Sequence, residues 1–292
     1  MNKTYEKESY KSHEKHIDEI EDRLVRLEKQ NSIDYWRHNR MYSLILPLLK
    51  DKHRWLTVGD GIGTDANWLI KKGMDVTASD ISDTILKKAQ EKNYISKYSK
   101  ENAENINFKD NAFDYVLCKE AYHHFPRPYI AVYEMLRVSK KAIVLIEPID
   151  IGIEMPILVF FKNVLDKISP KLINKIWKNR FSFETVGNYV YKTSEREIEK
   201  IAMGINLPYI AFKGINDYHS TSLDLSLPPN NNKVFKKVRT KIRRRNFLCH
   251  IGLIPYQLLV SIIFKEEPSM KIIQSLKDGG YKLIKLKRNP YI

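Results

Sequence analysis

The chain has 292 residues, 43% hydrophobic and 29% charged, a composition that can bury a core and excludes wholesale disorder. Fifty Lys and Arg against thirty-five Asp and Glu leave +15, and the only cysteines are Cys118 and Cys249, which excludes a disulfide scaffold and a four-cysteine zinc site. The first residues lack the apolar stretch of a signal peptide. The longest nearly apolar run, 251–264, is interrupted by Pro255 and Gln257 and is too short for a membrane span. The expectation is a cytoplasmic protein, soluble or peripherally attached to a membrane.

Residues 1–50 are predicted to be helical. Ile17, Ile20, Leu24 and Leu27 recur at spacings of three and four among charged residues, which makes one narrow apolar stripe. A second helical piece runs from about 33 to 49, with Tyr35, Trp36, Leu44, Ile45, Leu48 and Leu49 available for burial. From 51 to 150 short strands alternate with helices: strands at 55–59, 76–79, 113–118 and 142–147, helices at 65–72, 82–92 and 128–138. This alternation predicts an α/β fold with a mostly parallel sheet covered on both faces.

After Pro148 the pattern changes. Pro156 suits the first turn of a helix, expected to end before Pro170. Ser194 with Glu197 three residues later forms a capping box that opens a further helix to Met203. Residues 217–232, rich in Ser, Pro, Asn and Asp, are predicted to be loop. Strands at 258–264 and 281–286 close the chain, the second preceded by Gly279 and Gly280. The expected organisation is an N-terminal helical region (1–50), a core (51–150), an inserted cap contributing substrate specificity (151–250) and terminal strands returning to the core sheet (251–292).

The sharpest motif is ValGlyAspGlyIleGlyThrAsp at 58–65. Gly59, Gly61 and Gly63 alternate between a strand and a helix, where a missing Cβ lets backbone turn tightly and approach a ligand. Asp80 follows at the end of the next strand, suited to accept both hydroxyls of a ribose. Two nucleoside cofactors fit this plan. A nicotinamide dinucleotide uses G-x-G-x-x-G, but here the third position is Thr64, and Asp65 would be an unwelcome charge beside a pyrophosphate. S-adenosylmethionine (SAM) has no phosphate and carries a positive sulfonium, so the alternate-glycine form favours SAM.

With these stations in order, the chain resembles the class I SAM-dependent methyltransferases, in particular the small-molecule branch related to the quinone-biosynthesis methyltransferases. AsnAlaGluAsnIleAsnPhe at 102–108, AlaPheAspTyrValLeuCys at 112–118, AlaTyrHisHisPhe at 121–125, GluMetLeuArgVal at 134–138 and ValLeuIleGluPro at 144–148 extend the resemblance over roughly 53–150. It implies a Rossmann-like sheet with an antiparallel last strand and SAM as cofactor, with S-adenosyl-L-homocysteine as its product. It also implies a cofactor site of Gly59, Asp60, Gly61, Gly63, Asp80, Ile81, Asn102, Ala103 and Glu120, with Asn102 at the adenine. One departure is Thr57, where the family often carries an acid two residues before the first loop glycine. Asp60 and Asp65 are both positioned to compensate.

Methyl transfer needs alignment of a nucleophile and exclusion of water, and a hydroxyl acceptor must also lose a proton. His123 and His124 follow the predicted strand ending at Cys118, at the ligand end of the sheet. Either is open to a role as general base, to lining the pocket, or to a structural role. Tyr122 shares that segment and is a candidate substrate contact. Glu147 ends the strongest apolar strand, and Asp150 follows it. They either bind an amine or hydroxylated acceptor or cap local amides. No metal site is expected, because the histidines and cysteines show no ligand spacing.

Eight of the fifteen net positive charges come from the acid-free run 233–245. Solvation of that run is the expected reading. Attraction to nucleic acid or to an anionic membrane, helped by Phe247, Leu248, Ile251, Leu253 and Ile254, is the alternative. The sequence thus points to a SAM-dependent methyltransferase acting on a small-molecule, saccharide or lipid-linked acceptor. A nicotinamide-dependent oxidoreductase and a nucleic-acid-binding protein or RNA methyltransferase are the competing readings.

Overall fold

The computed structural model describes residues 20–151, 155–169, 171, 182–183, 189–230 and 232–291. Eight strands form one sheet: β1 (Arg54–Val58), β2 (Asp75–Asp80), β3 (Lys97–Lys100), β4 (Phe113–Lys119), β5 (Ser139–Pro148), β6 (Tyr209–Ile215), β7 (Leu258–Phe264) and β8 (Lys282–Lys285). Their spatial order is β3-β2-β1-β4-β5-β7-β6-β8. Strands β1 to β5 pair in parallel, β7 runs antiparallel to both β5 and β6, and β8 runs antiparallel to β6. Both closing strands therefore oppose the rest, where the sequence predicts this for the last.

The period of two along each strand separates two cores. On one face Trp55, Tyr115, Leu117 and Val144 pack with Leu24, Leu27, Met41, Trp68 and Leu86. These come from α1 (Ile20–Glu28), α2 (Ile33–Tyr42), α3 (Thr64–Lys71) and α4 (Thr84–Glu91). On the other, Leu56, Val116, Ile143, Ile210 and Ile263 pack with Val132, Met135, Ile198 and Ala202, carried by α5 (Pro128–Val138) and α7 (Glu195–Gly204). Between these two helices lies α6 (Pro156–Ile168), opening at Pro156 as its sequence predicts. The Ser194 hydroxyl caps α7 by accepting the Glu197 amide at 3.2 Å. The last two helices are α8 (Lys233–His250) and α9 (Met270–Asp278), on either side of β7 in the chain.

Two strands escape the sequence reading. β3 is a short polar edge, Lys-Tyr-Ser-Lys, with no apolar alternation to announce it. β6 lies inside the stretch 151–250 expected to be an insertion, yet its first four residues are buried and it pairs with β7 and β8. The helix predicted over 33–49 divides at Tyr42 and continues as a 3-10 turn, Ser43–Leu48, containing Pro47, which has no amide to donate to an α-helical ladder. Ile17, placed on the first apolar stripe, lies outside the described residues.

Sheet order dictates where a ligand fits. The chain leaves β1 to one side for β2 and β3, then crosses back to place β4 on the other side. A crevice is thereby left at the carboxyl ends of β1 and β4. The N-terminal helices wall it: Leu24 is fully buried, and the Glu28 carboxylate accepts hydrogen bonds from Tyr94 and Lys92. Leu24→Ala is expected to lower unfolding free energy by about 2–5 kcal/mol, measurable by urea denaturation. An unchanged midpoint would make α1 a loose tail.

Candidate functional site

A cavity of about 400 Å³ occupies that crevice, within the usual size range of small-molecule sites. Gly59, Asp60 and Gly61 from the loop after β1, Asp80 and Ile81 from the tip of β2, and Asn102 and Ala103 after β3 line it. Glu120, Ala121, His124 and Phe125 after β4 complete the opposite wall. Eight of the nine residues expected at the cofactor are therefore brought together. Gly63 is the exception: it sits at the N-terminus of α3 with φ +83°, and a Cβ there would approach Ile95 and Leu86. It shapes the loop from behind.

Glycine is required at 59 on two counts. Its φ is +72°, and a Cβ would collide with the Ala121 side chain across the β1–β4 crevice. At Gly61 a Cβ would stand 3.5 Å from Asp80 Oδ2, narrowing the channel between loop and acid. Asp80 Oδ1 accepts the Ser82 amide at 3.0 Å, which orients the carboxylate at the strand tip.

Asp60 turns back toward Thr57. Its buried carboxylate accepts the Thr57 hydroxyl at 2.9 Å, the Asp65 amide at 3.0 Å and the Ala66 amide at 2.8 Å. Burial first, and then the nearby Asp65, push its pKa well above the usual carboxylate range, against these donors. Asp65 accepts the Tyr42 hydroxyl at 2.5 Å and lies 3.4 Å from the Lys119 ammonium. Burial alone would lower the Lys119 pKa, but Asp65, Tyr42, Glu120 and Asp60 outweigh it and hold the ammonium charged. Two acids thus stand behind the loop with defined partners.

This arrangement discriminates between the cofactors. A pyrophosphate seeks the free amides at a helix N-terminus, but the Asp60 side chain already occupies two of those of α3. A sulfonium-bearing nucleoside does not meet that obstacle, and the Gly59 cradle and the Asp80 carboxylate suit a bend-crossing tail and a ribose.

The histidines separate as adjacent residues in a turn must. His124 faces the cavity. His123 Nδ1 lies 2.6 Å from Glu147 Oε2, and the two imidazoles stand 4.0 Å apart, centroid to centroid. Glu147 is fully buried, and its Oε1 accepts the Ala121 and Tyr122 amides at 2.9 and 3.0 Å. It therefore braces the turn after β4 and anchors His123, while Tyr122, also buried, and Asp150, just past the end of β5, do not line the cavity. Arg127 is paired with Glu104, at 2.6 Å through Nε. Among the described residues no group of histidines, cysteines and carboxylates could hold a metal ion.

Sequence reasoning missed Arg26, His38 and Lys119 in the cavity lining. The first two arrive on α1 and α2, and nothing in their spacing says which helix face meets the sheet tips. His38 Nδ1 is 3.9 Å from Glu120 Oε2 and its Nε2 is 3.7 Å from Asp34. Burial, then the charges of Lys119, Arg26 and Arg37, hold its pKa well below 6.5, leaving a neutral imidazole at pH 7. Glu120 itself has φ +52°, a rare conformation for a residue with a Cβ, enforced between the end of β4 and the Glu147-bound amides.

Residues 56–146 match the family described as a methyltransferase domain. The sequence search against curated proteins finds no match. Among solved structures, a chain of the complex between the Haloferax volcanii Trm112 methyltransferase activator and a methyltransferase superposes with TM-score 0.51 at 11% identity, covering 86% of this chain and 99% of that one. A SAM-dependent methyltransferase from Archaeoglobus fulgidus gives 0.49 at 16% identity, over 83% of this chain and 98% of that one. The Burkholderia thailandensis 1,6-didemethyltoxoflavin-N1-methyltransferase, with S-adenosylhomocysteine bound, gives 0.46 at 12% identity, over 77% and 76%. Residues 56–146 thus carry a methyltransferase domain. The sheet it belongs to, with antiparallel closing strands, is Rossmann-like.

A histidine held neutral by the fold binds its proton only on unfolding. Below pH 6.5 the unfolded chain takes up that proton and the folded one does not, so stability falls as pH falls. His38→Gln is expected to recover about 1 kcal/mol of the loss between pH 7.5 and 5.5, read by urea denaturation at the two values. An identical loss in the variant would show that His38 is freely protonated when folded.

Proposed function

We propose that the protein methylates a hydroxyl-bearing small molecule, a saccharide or a lipid-linked acceptor of that kind, with His124 as the general base. The observation that carries this reading is the convergence, in one cavity, of the glycine loop, the Asp80 tip and an imidazole. When bound, SAM supplies a methyl group on a sulfonium for in-line displacement and leaves as S-adenosyl-L-homocysteine.

In this reading the chain's own residues do the remaining work. Backbone at Gly59, Asp60 and Gly61 receives the amino-acid tail, with Glu120 closing over it. Asp80 accepts the ribose hydroxyls, while Ile81, Asn102 and Ala103 border the adenine. His124 takes the acceptor's proton as the new bond to carbon forms. His123, anchored by Glu147, supports His124 from behind through ring contact. The apolar wall of Phe125 and Pro126 excludes water, which would otherwise compete for the same base. A hydroxyl acceptor is favoured over a neutral amine because a base is provided at the cavity wall and an amine does not need one before transfer.

The test is transfer of radiolabelled methyl from SAM to separated cellular fractions of small molecules, saccharides and lipids. Label is expected in one fraction, and His124→Asn should lower its rate by about 100-fold or more while S-adenosylhomocysteine affinity by calorimetry stays within a few-fold. Label in none of the fractions would remove the proposal. A wild-type rate in His124→Asn would remove the base.

A further inference from the structure

Helix α8 does more than present solvated charge. Its sequence from Lys233 to His250 contains no acid, and Lys233, Lys236, Lys237, Arg239, Lys241, Arg243 and Arg244 are all exposed. At helical spacing Lys233, Lys236, Lys237, Arg243, Arg244 and Phe247 share an arc of about 120°. Val238 and Ile242 lie on the opposite side and are buried against Ile33 of α2 and Leu225. The helix is therefore bolted down by one face, and its other face is fixed outward. Phe247, Ile251 and Leu253, at its C-terminal end and in the turn beyond, are 63, 55 and 53% exposed, three large apolar side chains beside a row of cations.

We propose that α8 docks the protein on an anionic phospholipid surface. The chemistry of both halves fits one partner: lysines and arginines meet headgroup phosphates, and Phe247, Ile251 and Leu253 enter the boundary between headgroups and acyl chains. A nucleic-acid backbone would satisfy the cations but would leave those apolar groups in water. Attachment by this helix is peripheral, since no helix among the described residues is long and apolar enough to cross a membrane. The docking face is one layer from the cavity. Phe235 of α8 packs edge-on against Trp36 of α2 at 5.0 Å, Arg37 of α2 pairs with Asp217, and His38 of the same helix lines the cavity. A bound membrane would lie beside the helix that forms one wall of the site. This inference stands apart from the choice of acceptor, because it rests on the surface of α8 alone.

The test is co-sedimentation of the full chain with vesicles of phosphatidylcholine alone and of phosphatidylcholine with one quarter phosphatidylglycerol, at 100 mM salt. Binding is expected to the anionic vesicles and not to the neutral ones. The variant K236Q/K237Q/R243Q/R244Q should bind about 100-fold more weakly. F247S/I251S/L253S should retain binding at low salt but release completely at 0.5 M salt, where charge attraction is screened, and the wild type should release only in part. All substituted positions are exposed, and S-adenosylhomocysteine affinity in each variant reports that the fold is intact. Equal binding to neutral and anionic vesicles, no binding to either, no weakening in the glutamine variant, or tighter binding to an RNA duplex than to the vesicles would each overturn the proposal.

Discussion

Asp60 holds a carboxylate where water reaches it little, and the shape of the cofactor loop depends on that. Its two oxygens gather a hydroxyl from the end of β1 and two amides from the start of α3, so strand and helix are tied through one side chain across the glycine bend. Each donor would otherwise be a buried polar group without a partner, at a cost of about 1–3 kcal/mol. With the bend fixed, Gly59 lies against Ala121 and Gly61 faces Asp80. The same carboxylate fills the helix N-terminus that a pyrophosphate would need. One side chain therefore ties the bend and takes two amides that a pyrophosphate would seek.

A second layer of charge joins the core to the N-terminal helices. Lys119 at the end of β4 lies 3.4 Å from both Asp65 and Glu120 and stacks over the Tyr42 ring. Tyr42 in turn donates to Asp65. This buried network is satisfied only when α2 lies on the sheet tips, and the same placement delivers His38 to the cavity. The floor of the site is thus built by the regular β-α repeat, and one wall by a segment that precedes it in sequence.

What the sequence reveals follows from where the physics is local. The glycine bend, the acid at the end of β2, the Ser194–Glu197 cap and the apolar strands β5 and β7 are written in neighbouring residues, and they were legible. So was the parallel sheet, because alternating strands and helices leave few other topologies. β3 was not, since an edge strand needs no apolar face. β6 was hidden by its position after a long irregular stretch, though Tyr209 to Phe212 are buried. Arg26, His38 and Lys119 were invisible for another reason: their place in the site depends on how α1 and α2 dock, a long-range fact with no periodicity. For Glu147 the sequence leaves two roles open, acceptor contact or cap of local amides. Its burial and three short contacts favour the second, a brace for the turn carrying the histidines.

The proposed activity requires a nucleoside lying across the tips of β1, β2 and β4. A crystal structure of the protein grown with S-adenosylhomocysteine tests this most directly. The predicted density places both ribose hydroxyls within hydrogen-bonding distance of Asp80, the adenine beside Asn102 and the amino-acid tail over Gly59 and Gly61. Ligand density elsewhere, or a ribose that leaves Asp80 without contact, would contradict it.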